Sequence, residues 1–237
     1  MGRCVRERNE RVRIIVMYDI VFISYDESSA DANYTALKTR FPMTKRVHGV
    51  KGIHQAHIKA AKKCFTKMFW IVDADAIIMD DFNFDYVVPD HQLDHVHVWR
   101  AKNPINGLEY GYGGVKLFPR QMTIDMDTSK ADMTTSISSQ FIAVEEIANI
   151  TAFNTDAFSA WRGAFRECVK LSSKTISRQT NEETEDRLNI WCTKGAEQRY
   201  GDYSIAGAIA GRDYGLSNSN DVSLINNFEW LEKQFNA

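Results

Sequence analysis

No stretch of this 237-residue chain stays apolar for the roughly 18 residues that a membrane-spanning helix needs, and runs such as Met68–Val72 are cut short by charge. No membrane span is expected. The basic segment Met1–Arg13 lacks an apolar core followed by a small-residue cleavage site, so no secretory signal is expected and the anticipated location is cytoplasmic. Cysteine is scarce and scattered. Cys4, Cys64, Cys168 and Cys192 form no Cys-x-x-Cys pair, which argues against a zinc knuckle and a disulfide framework and favours reduced, mostly buried thiols. Internal repeats, low-complexity tracts and long linkers are also missing. With 44% hydrophobic and 25% charged residues, the chain has the composition of one ordinary globular domain.

A formal net charge of −2 makes no global case for a nucleic-acid partner, yet the charge is unevenly laid out. From Lys38 to Lys67 there are nine basic residues and no acidic one; from Met68 to His95 there are seven aspartates and no Lys or Arg. Such a layout serves phosphates on one side and a cation on the other, or simply solvates a helix and a loop.

The first half alternates. Tyr18–Ser24 is a β-branched and aromatic run that predicts a strand, Ala30–Thr39 a helix with Ala32, Ala36, Tyr34 and Leu37 on one face, Arg46–Gly49 a short strand and Gly52–Phe65 a helix. Met68–Val72 is a continuous apolar strand, and this order builds a parallel sheet with helices on its faces and ligands beyond its carboxyl ends. Later, Val96–Arg100 and Gly113–Phe118 predict strands, Thr155–Lys174 a helix capped by Asn154 or Thr155, and Glu182–Cys192 another helix. The glycine-bearing tail ends in Phe228, Trp230, Leu231 and Phe235, which pack on the core.

The sharpest chemical feature is Phe69-Trp70-Ile71-Val72-Asp73-Ala74-Asp75, an apolar strand that delivers two carboxylates one residue apart. Alternate side chains of an extended chain share a face, so Asp73 and Asp75 can converge on Mg²⁺ or Mn²⁺, with phosphate and water as remaining ligands. Aspartates after strands are also common turn formers. Gly111-Tyr112-Gly113-Gly114-Val115-Lys116 permits close backbone approach to a ligand, with Lys116 available for phosphate; a bulge or tight turn explains the glycines equally well. Trp99, Tyr110 and Tyr112 are candidate stacking surfaces for a sugar or a base, or simply core and rim aromatics. Arg162 and Arg166 share a helix face and can meet phosphate or pair with Glu167 or Asp186. His95 and His97 alternate with valines in the manner of a metal pair, without a visible third ligand.

The linked pieces Lys51-Gly52-Ile53-His54-Gln55-Ala56-His57-Ile58 and Val72-Asp73-Ala74-Asp75 resemble the Gly-x-x-x-Ala-Arg-Asn helix and following D-x-D of the large inverting GT-A glycosyltransferase family, with His57 and Ile58 where that family usually carries Arg and Asn. The resemblance implies a single Rossmann-like α/β domain over 1–237 with a mostly parallel central sheet flanked by helices. About 17–118 would be the nucleotide-sugar-binding half and about 119–237 the acceptor side. It implies a nucleotide-diphosphate sugar as donor, with Tyr25 and Asp26 at the base and ribose, Gly52, Gly113, Gly114 and Lys116 at the phosphates and sugar, and Asp73 and Asp75 on Mn²⁺ or Mg²⁺. Many members of that family add a late histidine ligand, and this chain has none after His97. Asn154-Thr155-Asp156 with Trp161-Arg162 resembles a drifted form of the family's acidic base motif, which makes Asp156 the implied general base and Glu145 and Glu146 its reserves.

The whole sequence is also similar to glycosyltransferase-like proteins of tailed bacteriophages related to the T-even group. That implies double-stranded DNA with hydroxymethylated pyrimidines as acceptor. A protein, lipid or glycan acceptor stands beside it, as do a nucleotidyltransferase and a non-catalytic phage structural or nucleic-acid-binding protein.

Overall fold

Six residues without an internal charge, Met68–Asp73 (β3), form the middle of the structure, which is a computed structural model describing residues 17–111, 113–130, 132–175 and 180–237. Both faces of β3 are covered, which is why its sequence is continuously apolar rather than alternating. Asp19–Ser24 (β1) lies parallel to β3, and Lys45–His48 (β2) is parallel to β1 at the sheet edge. The helices Ala30–Arg40 (α1) and Ile53–Lys62 (α2) link these strands. The period-2 rule sorts the core. Ile20, Phe22, Trp70 and Val72 face α1 residues Ala30 and Leu37, while Val21, Phe69 and Ile71 face Ala60 and Ala61 of α2.

Beyond β3 the sheet changes character. The turn after β3 leads to Ala76–Ile78 (β4), then a long loop to Val96–Lys102 (β5), the two-residue Glu109–Tyr110 (β6) and Val115–Pro119 (β7). Short helices Arg120–Ile124 (α3) and Met133–Ile137 (α4) precede the 11-residue Phe141–Thr151 (β8). The order is β2-β1-β3-β7-β5-β8-β4, with β6 on β5. β7 runs antiparallel to both β3 and β5, and β8 is parallel to β5 but antiparallel to β4. The protein is a single α/β domain with helices on a mixed sheet, in which β1, β2 and β3 run parallel as the alternation of the first half requires and the β5–β8 pair adds one further parallel ladder. The expected mostly parallel sheet gives way because β5, β6 and β7 follow one another without helices, and hairpin-like links reverse direction.

The remaining helices, Ala157–Ser172 (α5), Asn181–Thr193 (α6), Gly201–Ser217 (α7) and Phe228–Phe235 (α8), pack on one another around Trp161, Phe165, Leu171 and Trp191. The α5–α7 approach is so close that a Cβ at Gly207 would stand 2.2 Å from the Trp161 carbonyl oxygen and one at Gly211 2.3 Å from that of Phe165. Leu231 is buried in this layer, as the apolar tail suggests, whereas Phe228 stays half-exposed. Of the expected inner face of α1, Leu37 is buried and Tyr34 partly so, but Ala32 and Ala36 are exposed. Cys64, Cys168 and Cys192 are buried free thiols; Cys4 and the Met1–Arg13 segment lie outside the described residues. Among the described residues no helix is long and apolar enough to cross a membrane.

Candidate active site

β3 ends on Asp73 and the chain turns at once, because Asp75 must leave the sheet for β4 to pair with β8. Three bonds fix the turn. The Asp73 N–H donates to the Gly114 carbonyl at 2.9 Å, the Ala152 N–H to the Asp75 carbonyl at 2.7 Å, and the Asn33 side-chain amide to the Ala74 carbonyl at 2.8 Å. α1, β7 and the end of β8 thus hold the two carboxylates. Lys116, on β7 and only 8% exposed, donates from Nζ to Asp73 Oδ2 at 2.8 Å. The glycines before it are required here. A Cβ on Gly113, at φ +102°, would come within 2.9 Å of Lys116 Cε, and one on Gly114 within 2.2 Å of Asn149 Nδ2.

Asp75 is half-buried and has no ion-pair partner within 4.0 Å among the described residues. Burial and then the neighbouring Asp73 charge push its carboxyl up to about 6. Lys116 opposes that rise, and Arg162, on α5, shares the field: burial lowers its affinity for its proton, while Asp156, Asp75 and Glu27 oppose that. Its guanidinium lies over Phe158 and Phe228, at 5.5 and 5.0 Å from the ring centroids, and makes no ion pair among the described residues. Arg166, one turn on, donates from Nη2 to Asn226 Oδ1 at 3.0 Å, and its buried Nε has no partner among the described residues. The alternatives of pairing with Glu167 or Asp186 are not realised, since Glu167 is taken by Lys170 and Tyr110.

His57 is fully buried on α2 beside this cluster. Its Nδ1–H donates to the Ile53 carbonyl at 2.8 Å, so Nε2 is the bare nitrogen, without a partner among the described residues. Burial, then Lys116, hold the imidazole down to about 4. Gly52 stands at the start of α2 with φ +92°, and Tyr25 and Asp26 leave β1 as exposed loop residues at the same carboxyl end. The structure therefore brings Asp73, Asp75, Gly113, Gly114 and Lys116 together, with Arg162 and Asp156 in electrostatic reach. Asn33 and Asn149 also belong to the setting and escaped the sequence reading, because a lone Asn carries no spacing signal.

Asp156 is not inside α5 but its N-cap, correcting the expected Asn154 or Thr155 cap. Oδ1 accepts from Ser159 N–H at 2.8 Å, and Oδ2 from the Ser159 hydroxyl at 2.7 Å and that of Thr155 at 3.2 Å. Partial burial opposes ionisation, but these bonds outweigh it and keep the carboxyl below its ordinary value. Glu145 pairs with Arg100, and Glu146 accepts from Trp99 Nε1 at 3.0 Å.

Trp99 and Tyr110 are not stacking surfaces. Trp99 is fully buried with its ring 4.4 Å from that of Trp70, and Tyr110 donates its hydroxyl to Glu167 inside the helical layer. Tyr112 lies outside the described residues. The His95/His97 pair does not form either: His95 precedes β5 and pairs with Asp94, while His97 is buried and its Nδ1 meets the His95 carbonyl at 3.2 Å. Among the described residues no group of three or more His, Cys, Asp or Glu is placed to hold a metal.

No family model and no curated protein matches the chain. Among solved structures it is similar to the mannosyltransferase PcManGT from Pyrobaculum calidifontis in complex with GDP-Man and Mn²⁺, at 11% identity, covering 85% of this chain and 76% of that one with a TM-score of 0.47. That is a likeness in outline between distant chains.

Proposed function

We propose that the protein is a glycosyltransferase of GT-A type that moves a hexosyl or pentosyl group from a nucleotide-diphosphate sugar to a hydroxyl. One observation carries this: a carboxylate pair at the carboxyl end of the central strand, in which Asp73 is already matched by Lys116 while Asp75 has no ion-pair partner among the described residues and is pushed up to about 6. Two hard carboxylates fit Mn²⁺ or Mg²⁺ as a partial ligand set whose other ligands are diphosphate oxygens and water, so the lack of a third protein ligand is no obstacle. When bound, the metal supplies positive charge for the departing diphosphate.

The chain's own residues do the rest. Lys116 offsets Asp73 so that the pair does not repel a diphosphate, and Gly113 and Gly114 leave room for that lysine and for Asn149. Arg162 adds a second fixed cation on the α5 side, where it stabilises charge without reorganisation. Asp156 remains our assignment for the acceptor's proton, since it shares the field of Arg162 with Asp75; its capping bonds must open for it to serve as a base. Tyr25 and Asp26 are assigned to the nucleoside and Gly52 to the diphosphate side.

For the acceptor we retain the hydroxymethylated pyrimidine of duplex DNA, reached from the major groove or by flipping. The basic stretch Lys38–Lys67, suited to the phosphates of such an acceptor, is gathered mainly at the other end of the sheet, so a duplex acceptor has to extend there from the carboxylates. Thermal-shift screening of UDP, GDP and CDP with and without Mn²⁺, followed by mass spectrometry of products, tests the proposal: a metal-dependent shift for one nucleotide is expected. Equal shifts without metal, and no glycosylated product from any nucleotide sugar, would refute it.

A further inference from the structure

The amino end of the sheet carries a feature that transfer at Asp73 and Asp75 does not use. β1 and β3 start there, and Asp19, the first residue of β1, ties the region together. It accepts from Lys45 Nζ at 2.5 Å and from the backbone N–H groups of Phe65 and Thr66 at 2.6 and 3.1 Å. Six extended residues separate this end from the carboxylates, roughly 16 Å at about 3.3 Å per step.

Two adjoining clefts open here and share one wall, Phe65. The larger, about 570 Å³, is lined by Lys38, Lys45, Arg46, Lys62 and Lys63 and by no carboxylate; the smaller, about 300 Å³, carries Lys67 and Arg120, again without an acid. Lys45 is offset by Asp19 and Arg46 by Asp31, but Lys38, Lys62 and Lys63 have no ion-pair partner among the described residues. Backbone carbonyls position several of these cations. Lys38 Nζ donates to Thr44 O at 3.1 Å, Lys63 Nζ to Arg46 O at 3.0 Å and Arg120 Nε to Ala61 O at 3.1 Å, leaving further N–H groups for a ligand.

Phe65 itself is 90% exposed with the Lys45 ammonium 4.7 Å from its ring, and Met43 across the larger cleft is 81% exposed. Among the described residues, an exposed phenyl ring with a lysine ammonium near it, standing between two basic clefts whose walls carry no acid, is a stacking platform on a path for negative charge.

We propose that this amino-end track binds single-stranded nucleic acid, with backbone phosphates along the lysines and a base stacked on Phe65. Positive grooves with aromatic platforms are how sequence-tolerant strand binding works, and a duplex, whose bases are stacked inward, has no face to offer Phe65. The proposal stands apart from the transferase assignment, because its test needs neither donor nor metal.

The test is fluorescence anisotropy with a labelled oligothymidylate of about 12 nucleotides, long enough to cover a typical site. Wild-type protein should bind at low salt, with log K falling against log salt at a slope of about −2 to −3, as three or four neutralised phosphates give for a single strand. Phe65→Ala should weaken binding about tenfold at an unchanged slope, since only stacking is lost. Lys62→Glu with Lys63→Glu should lower both affinity and slope. Thermal unfolding checks that these surface variants remain folded. Absent binding at low salt would overturn the proposal. So would equal affinity for inorganic polyphosphate or for duplex with no effect of Phe65→Ala, because the surface would then be only a diffuse patch of charge.

Discussion

The two ends of the sheet hold opposite charge in opposite ways. At the carboxyl end, Asp73 and Asp75 are packed in a turn with Lys116 buried against Asp73, while Asp75 has no ion-pair partner among the described residues and is costly to ionise. At the amino end the cations ring open clefts around an exposed phenyl ring. Buried, coupled charge marks a place built for one ligand in one geometry, whereas open, similar charges suit a flexible ligand in many registers. Sequence adjacency hides this separation. The basic and acidic runs abut at Lys67 and Met68, yet one strand crossing divides most of the first from Asp73 and Asp75.

The largest expected effect breaks the carboxyl end alone. Asp75→Asn should lower transfer, or hydrolysis of the donor by water, on the order of 100-fold or more, since a hard ligand and its charge are lost. Lys62→Glu with Lys63→Glu should leave the same rate within about twofold when a small acceptor is used. Equal losses from both variants, with folding intact, would show that the ends do not work separately.

How much of this was legible in the sequence follows from the same contrast. Local patterns found β1, β3 and their helices, because an apolar run flanked by polar turns is decided within a few residues. The strand β8 was not found. Phe141–Thr151 carries Glu145 and Glu146 in mid-run and reads as irregular, although seven of its residues pair with β5. α7 was hidden by its glycines, which weaken a helix locally but let it lie against α5. The pairing of Asp73 with Lys116 spans 43 positions and depends on β7 being antiparallel to β3, which no spacing announces. Trp99 and Tyr110 take the core alternative, which sequence leaves open because aromatics in a core and around a ligand look alike there.

Two histidines are also buried. His57 lies beside Lys116, and His97 stands on β5 in register with Leu117; burial holds both down to about 4. The unfolded chain takes up these protons near pH 6.5, so stability is intact above that value. It falls as pH drops from about 6.5 to 4, by roughly 2 kcal/mol per histidine at pH 5. Urea unfolding at pH 7 and pH 5 should show the loss, and His97→Gln should remove about half of it. A flat profile would mean that the imidazoles are not held neutral.

Packing around the carboxylates is tight enough for a methyl group to matter. Gly114→Ala should destabilise by about 1 to 3 kcal/mol, because its Cβ would fall 2.2 Å from Asn149 Nδ2. Adding Asn149→Ala should recover part of the loss in thermal unfolding; no recovery would place the strain elsewhere. The smallest effect concerns the cap. Asp156→Ala should cost about 1 kcal/mol, while Asp156→Asn keeps the cap at a few tenths. If Asp156→Asn nevertheless lowers turnover far more than donor affinity, the carboxylate acts on the proton; unchanged turnover would leave Asp156 as a cap only.

The most direct measurement is a Mn²⁺ titration followed by electron paramagnetic resonance, with and without each nucleoside diphosphate. Tight Mn²⁺ binding should require one nucleotide, vanish in Asp75→Asn and persist in Lys62→Glu with Lys63→Glu. Undiminished Mn²⁺ and nucleotide binding in Asp75→Asn would contradict the assignment of the donor to the carboxyl end of β3.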